Sequence, residues 1–249
     1  MGKRYPSVAR VNDTCRINMV KEIFSTITEK YDFLNHFLSL RRDITWRRFA
    51  VSKMRFFKTY RFLDVATGTS DLAIETVLNY PYIQVVGLDF VKEMLDQGRR
   101  KILKMGLSAK IDLTRGDALD IPLYDEGFDV AAIAFGIRNI PDKMGALMEM
   151  VRTVTPGGQV MALEMTLPQT RYFRALYHIY LNIILPYLAR TFSHNPKAYY
   201  YLGDSIMNFP TTEGFTLMMT KAGLTDVESY SLTSGICRLF VGRKGLAED

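Results

Sequence analysis

Three acids stand around one turn of small residues. Asp64 and Asp71 bracket Val65-Ala66-Thr67-Gly68-Thr69-Ser70, and Asp89 closes the next apolar run, Val85-Val86-Gly87-Leu88-Asp89. Carboxylates so placed accept hydrogen bonds from hydroxyl and ammonium groups, and they repel phosphate. The first turn follows a β-rich stretch, Phe62-Leu63, and precedes a helix-like segment. Strand, tight turn and helix N-terminus is how an α/β nucleotide site begins. Gly68 lets the backbone approach a ligand where a side chain would block it. Asp89, roughly 20 residues further on, is placed to accept both ribose hydroxyls of an adenosine.

The glycine count decides which adenosine. A dinucleotide site uses G-x-G-x-x-G so that a pyrophosphate can touch backbone amides. Here Gly68 stands alone among threonine and serine. Acids at both ends of the turn suit a cationic ligand instead. S-adenosyl-L-methionine has a sulfonium, an ammonium and no phosphate, and the D-x-A-x-G-T-x-D arrangement resembles motif I of the class I methyltransferases. That resemblance makes Asp64, Ala66, Gly68, Thr69 and Asp71 candidates for the cofactor turn.

Composition narrows the setting. The 249 residues are 48% hydrophobic, enough for a sizeable core and against disorder. Cys15 and Cys237 lie far apart, which fits a reducing compartment without a disulfide framework. The histidines, His36, His178 and His194, match no zinc spacing, so no metal is expected. No secretory h-region follows Met1, and the apolar stretch from Tyr180 to Leu188 is too short to span a bilayer. A cytoplasmic protein is expected. The net charge of +6 comes from scattered lysines and arginines, and no nucleic-acid partner is expected.

Regular alternation of strand and helix patterns predicts an α/β, Rossmann-like fold with a mostly parallel sheet. Strands are expected near 61–66, 84–89, 111–115, 128–135 and 159–165, the last after the turn Thr155-Pro156-Gly157-Gly158. Helices are expected near 71–80, 91–105, 142–154 and 211–222. Residues 13–58 read as a helical cap, with Val20, Ile23, Phe24 and Ile27 at helical spacing. Residues 170–205 read as a tyrosine-rich helical insertion. Two final strands, near 226–232 and 237–243, are expected as an antiparallel edge of a seven-stranded sheet. No linker divides the chain, so 1–249 reads as a single domain.

Ligands bind outside the carboxyl ends of such strands. Those ends carry Ala66 to Ser70, Asp89-Phe90, Gly116-Asp117-Ala118, Ala134 with Phe135-Gly136-Ile137-Arg138-Asn139, and Glu164. Asp117 is placed to accept an adenine amino group. With Tyr31-Asp32-x-x-Asn35, Pro156-Gly157-Gly158, Ala198-Tyr199 and Tyr201-Leu202-x-x-Ser205-Ile206, these blocks stand in an order that resembles the ubiquinone/menaquinone biosynthesis C-methyltransferase family over about residues 18–243. The resemblance implies methylation of a ring carbon on a polyprenylated quinol, with S-adenosyl-L-methionine as donor. It implies Asp89, Phe90, Asp117, Ala118 and Ala134 beside the cofactor. It assigns Arg138 to phenolate charge and Asn139 to orienting the ring, with Tyr31 or Asp32 helping to move the proton. Glu164 is left either to the cofactor ammonium or to structure, and Arg138 has a second reading as a helix-start arginine paired to Asp142.

The chain departs from that pattern twice. Ser70 replaces the last glycine of G-T-G-D, at little cost if its φ is negative and more if positive. Ala134 replaces a serine, removing a hydroxyl from the end of strand four. These departures keep two alternatives in play: another phenolic acceptor, or a non-catalytic scaffold. The aromatic insertion, with Arg171, Arg174 and Arg190, suits a prenyl tail and peripheral contact with the inner membrane face. A homodimer is left open.

Overall fold

Why the apolar runs become strands is visible along Phe128–Ala134. Val130 and Ala132 face one hydrophobic cluster, with Trp46, Leu72 and Val77, while Ala131 and Ile133 face another, with Leu147, Met150 and Phe215. A strand covered on both faces is apolar on both, because successive side chains alternate between the faces, and its one acid, Asp129, is satisfied by backbone N–H groups. In the computed structural model, which describes residues 12–184 and 196–246 (the side chains of 27–35, 37, 38, 196, 197 and 199 excepted), this strand is central.

The strands are β1 (Arg61–Val65), β2 (Gln84–Asp89), β3 (Ile111–Arg115), β4 (Phe128–Ala134), β5 (Val154–Met165), β6 (Leu224–Leu232) and β7 (Cys237–Lys244). They form one seven-stranded sheet in the order β3-β2-β1-β4-β5-β7-β6. The first five are parallel, and β7 runs antiparallel to both β5 and β6. The order reverses between β1 and β4, the crevice where open α/β sheets bind ligands.

The helices are α1 (Asp13–Leu38), α2 (Arg42–Ser52), α3 (Asp71–Asn79), α4 (Lys92–Lys104), α5 (Lys143–Thr153), α6 (Arg171–Ile179), α7 (Pro196–Met207) and α8 (Thr212–Lys221). A π turn, Tyr180–Ile184, continues α6.

Four sequence expectations change. The N-terminal cap is two helices, because Leu40 and Arg41 take φ of 52° and 62°, which no α-helix tolerates. The Ser39 Oγ to Asp43 Oδ1 hydrogen bond, 2.6 Å, holds that bend. Residues 54–60 are not helical. Their backbone is gathered by Asp129, whose carboxylate accepts from the N–H groups of Phe57, Lys58, Thr59 and Tyr60. Strand five begins earlier than expected, at Val154, and Thr155-Pro156-Gly157-Gly158 is an irregularity within it, where the β4–β5 register shifts. The Phe135 backbone at φ 57° ends β4 one residue early.

Candidate functional site

The turn after β1 is built on strain. Ala66, Gly68 and Ser70 all have positive φ, 52°, 56° and 69°. Non-glycine residues in that region are costly and persist where surrounding contacts enforce them. Asp64 is one such contact. Its Oδ2 accepts from Thr67 Oγ1 at 2.6 Å and from the Ala73 N–H at 3.2 Å, so it staples the turn to α3. Burial pushes its carboxyl up to about 7, against those two bonds and the nearby Arg47.

Asp89 closes the other side. Its Oδ2 accepts the Gly68 N–H at 2.8 Å and its Oδ1 accepts the Val91 N–H at 2.9 Å. A carboxylate has about four acceptor positions, so capacity remains for ribose hydroxyls. Burial raises its pKa to about 6, opposed by the backbone N–H groups of Val91, Gly68 and Phe90. The lone glycine's N–H is thus spent on a carboxylate, which is the wrong chemistry for a pyrophosphate.

A cleft opens above these groups, holding about 870 Å³ of space out to its open mouth. Ala66, Gly68, Asp89 and Phe90 line it, with Asp117 and Ala118 from the loop after β3 and Ala134, Phe135, Gly136 and Asn139 after β4. Gly136 is required by close approach: a Cβ there would lie 2.9 Å from that of Ala66. The wall that the sequence reading missed comes from α1, through Ile17, Val20 and Phe24, and from Ile140 and Pro141. The helical spacing of Val20 and Phe24 was legible. Their packing over a sheet end more than 40 residues away was not.

Not every predicted residue meets the cleft. Asp64, Thr69, Asp71 and Arg138 are absent from its lining. Asp71 engages Arg47 Nη2 at 3.3 Å and Lys101 Nζ, and Lys101 also reaches Thr69 Oγ1. Arg47 continues to Asp43, which His36 also meets, and its guanidinium stacks over the Phe135 ring. An ion-pair chain therefore runs from the α1–α2 bend to the motif I turn. The backbones of Tyr31 and Asp32 lie in α1, but their side chains lie outside the described residues.

Arg138 pairs with Glu164, not with Asp142. Its Nη1 donates to Glu164 Oε1 and to the Phe135 carbonyl, both at 2.6 Å, and its N–H donates to Glu164 Oε2. Asp142 instead caps α5 through the Gly145 N–H. Glu164 is fully buried and makes no contact with the cleft, so its structural alternative is the one the geometry favours. The pair locks the turn carrying Asn139. Tyr201 of α7 donates its hydroxyl to Asn139 Oδ1 at 3.1 Å, and Arg16 of α1 donates to the Arg138 carbonyl at 2.6 Å. Lys143, beside Arg16, donates to the Ile140 carbonyl, and burial lowers its pKa to about 8.

Ser70 takes the costlier of its two alternatives, since its φ is positive. Ala134 sits on the cleft wall, so the missing hydroxyl is missing from the ligand surface itself.

A parallel sheet reversed at β1–β4, an acid after β2 and a strained single-glycine turn define a class I S-adenosylmethionine-dependent methyltransferase. Solved structures share the fold: an S-adenosylmethionine-dependent methyltransferase of Thermotoga maritima superposes with a TM-score of 0.61 at 20% identity, over 90% of this chain and 98% of that one. Phosphoethanolamine N-methyltransferase 2 of Haemonchus contortus, solved with S-adenosyl-L-methionine, gives 0.59 at 17% identity, over 80% of this chain and 52% of that one. The chain belongs to the ubiE/COQ5 methyltransferase family, whose model matches residues 10–244. It is 42% identical to the ubiquinone/menaquinone biosynthesis C-methyltransferase UbiE of Geotalea uraniireducens, over 90% of this chain and 96% of the relative. It is 37% identical to the demethylmenaquinone methyltransferase of Bacteroides fragilis, over 94% and 95%.

Proposed function

We propose that this enzyme methylates a ring carbon of a polyprenylated quinol in menaquinone or ubiquinone biosynthesis, with demethylmenaquinol or 2-polyprenyl-6-methoxy-1,4-benzoquinol as acceptor. The observation that carries the reading is that Asn139, held by Tyr201, lines the same cleft as Asp89 and Asp117. One cleft thus joins a nucleoside-binding end to a polar, rigidly held acceptor end.

S-adenosylmethionine, when bound, supplies an electrophilic methyl group. The residues that line the cleft fit it: Asp89 would accept the ribose hydroxyls, Asp117 in the same wall would take the adenine amino group, and Phe90 and Ala118 would offer apolar contact. The acceptor carbon becomes nucleophilic when the adjacent hydroxyl loses its proton. Asn139 orients the ring oxygens. Arg138 acts as a positioning residue, holding Asn139 in place through Glu164 and contributing its charge to the phenolate at a distance. Tyr31 and Asp32 are kept as candidates for the proton route.

The test is transfer of labelled methyl to each demethylated quinol, preceded by calorimetric titration with S-adenosylmethionine. Micromolar cofactor binding with labelled menaquinol or benzoquinol supports the reading and names the acceptor. Cofactor binding without transfer to either quinol rejects the acceptor assignment.

A further inference from the structure

The face of α6 that points away from the sheet is apolar and exposed. Tyr172, Leu176, Ile179 and Ile183 recur at helical spacing along it, flanked by Phe173 and Ile184, and all six are between 43% and 68% exposed. The opposite side is satisfied within the fold: Tyr177 and Leu181 pack with Ile206 of α7. Large exposed apolar patches on proteins mark binding surfaces.

Charge identifies the occupant. Between Glu164 and Asp204 the sequence has no acid at all and four lysines or arginines. Arg171 and Arg174 are exposed on the helix itself, beside the apolar stripe, with His178 half-buried on the same side. An apolar stripe bordered by cations, with no carboxylate on the helix itself, is the make-up of a helix that lies in the headgroup region of an anionic bilayer. No helix among the described residues is long and apolar enough to cross a membrane, so the contact is one of lying on the surface.

We propose that the exposed face of α6 and the π turn docks this enzyme on an anionic lipid bilayer. The placement serves the cleft. The inner side of α6 rests on α7, and α7 supplies the Tyr201 that holds Asn139. The docked face therefore backs onto the acceptor end, where a prenylated quinol leaves the bilayer. This last step rests on the acceptor reading above; the docking itself does not.

The test is flotation of the full chain with phosphatidylcholine vesicles and with vesicles that also contain phosphatidylglycerol, at low and high salt. Flotation with the anionic vesicles, weakened by salt, is expected. In Phe173→Ser/Ile183→Ser the floated fraction falls about tenfold, with S-adenosylmethionine affinity unchanged. Absence of flotation overturns the proposal, as does flotation that the double variant retains. A dimer in light scattering that the same substitutions dissolve also overturns it, since the face then belongs to a second copy. Methyl transfer to a short-chain, water-soluble quinol separates the two readings: a chain that floats but leaves that acceptor unmethylated refutes the acceptor and keeps the docking surface.

Discussion

The Oγ of Ser70 occupies the space that Gly98 leaves by having no side chain: a Cβ built on Gly98 would lie 2.4 Å from it. The hydroxyl is fully buried and, among the described residues, has no hydrogen-bond partner. The serine that replaces the family's glycine is thus accommodated by a second glycine, on α4, and carries two penalties, a left-handed backbone and an unsatisfied polar atom. Ser70→Gly is expected to stabilise the chain by about 1 kcal/mol, the gain from removing both penalties exceeding the extra chain entropy of glycine. Gly98→Ala should be tolerated better in that background than in the native one, by about 1 kcal/mol or more. Denaturant unfolding of the four chains measures this; equal costs of Gly98→Ala in both backgrounds would refute the coupling.

The Arg138–Glu164 pair predicts an asymmetry. Arg138→Ala leaves a buried carboxylate without its cation and should cost about 3–5 kcal/mol of stability, whereas Arg138→Met/Glu164→Leu should recover most of that loss. Turnover should stay low in both, because the guanidinium is gone. Full activity in the stable double variant would remove Arg138 from the mechanism.

The raised carboxyls set two pH dependences. Asp64 and Asp89 bind protons more tightly folded than unfolded, with pKa values of about 7 and about 6. Between their ordinary range and these values the folded state holds more protons, so their contribution to stability falls as pH rises from roughly 4 to 7. Asp64→Asn should flatten the upper part of that fall, since one amide oxygen can accept both Thr67 and Ala73. Cofactor affinity moves the other way. It should rise with pH through about 6, as Asp89 ionises, and then level off. Calorimetric titration across this range checks the second claim, and a flat profile would contradict it.

Asn139 and Tyr201 predict a split in kinetic constants. Tyr201→Phe loses the hydrogen bond to Asn139 and should lower kcat about tenfold while leaving cofactor affinity within about a factor of two. Asn139→Leu should cost about a hundredfold. Should Tyr201→Phe weaken S-adenosylmethionine as much as it slows turnover, the residue supports the fold and not the acceptor end.

Much of the site was readable because it is local. The β1 turn, Asp89 and Asp117 follow their strands directly, and a strand end has only a few residues in which to place a ligand group. Eight of the predicted residues, among them Asp89 and Asn139, do line the cleft. Asp71 was legible as an acid beside the turn, but not as the partner of Arg47 and Lys101, which reach it from α2 and α4. Arg138 was found by its motif, yet the one partner its second reading offered was nearby Asp142, because nothing in sequence spacing favours a carboxylate 26 residues away.

The sequence alone determined the α/β alternation, the strand-turn-helix around Gly68 and the methyltransferase family, since these rest on period, residue type and short spacings. Tertiary structure decided how the cleft is closed. Helix α1 becomes its wall, Tyr201 meets Asn139 across 62 residues, and Asp129 organises the chain before β1 from about 70 residues away. Such contacts form only when the sheet brings distant segments together. Their entropy of closure is offset by burial that no local pattern encodes.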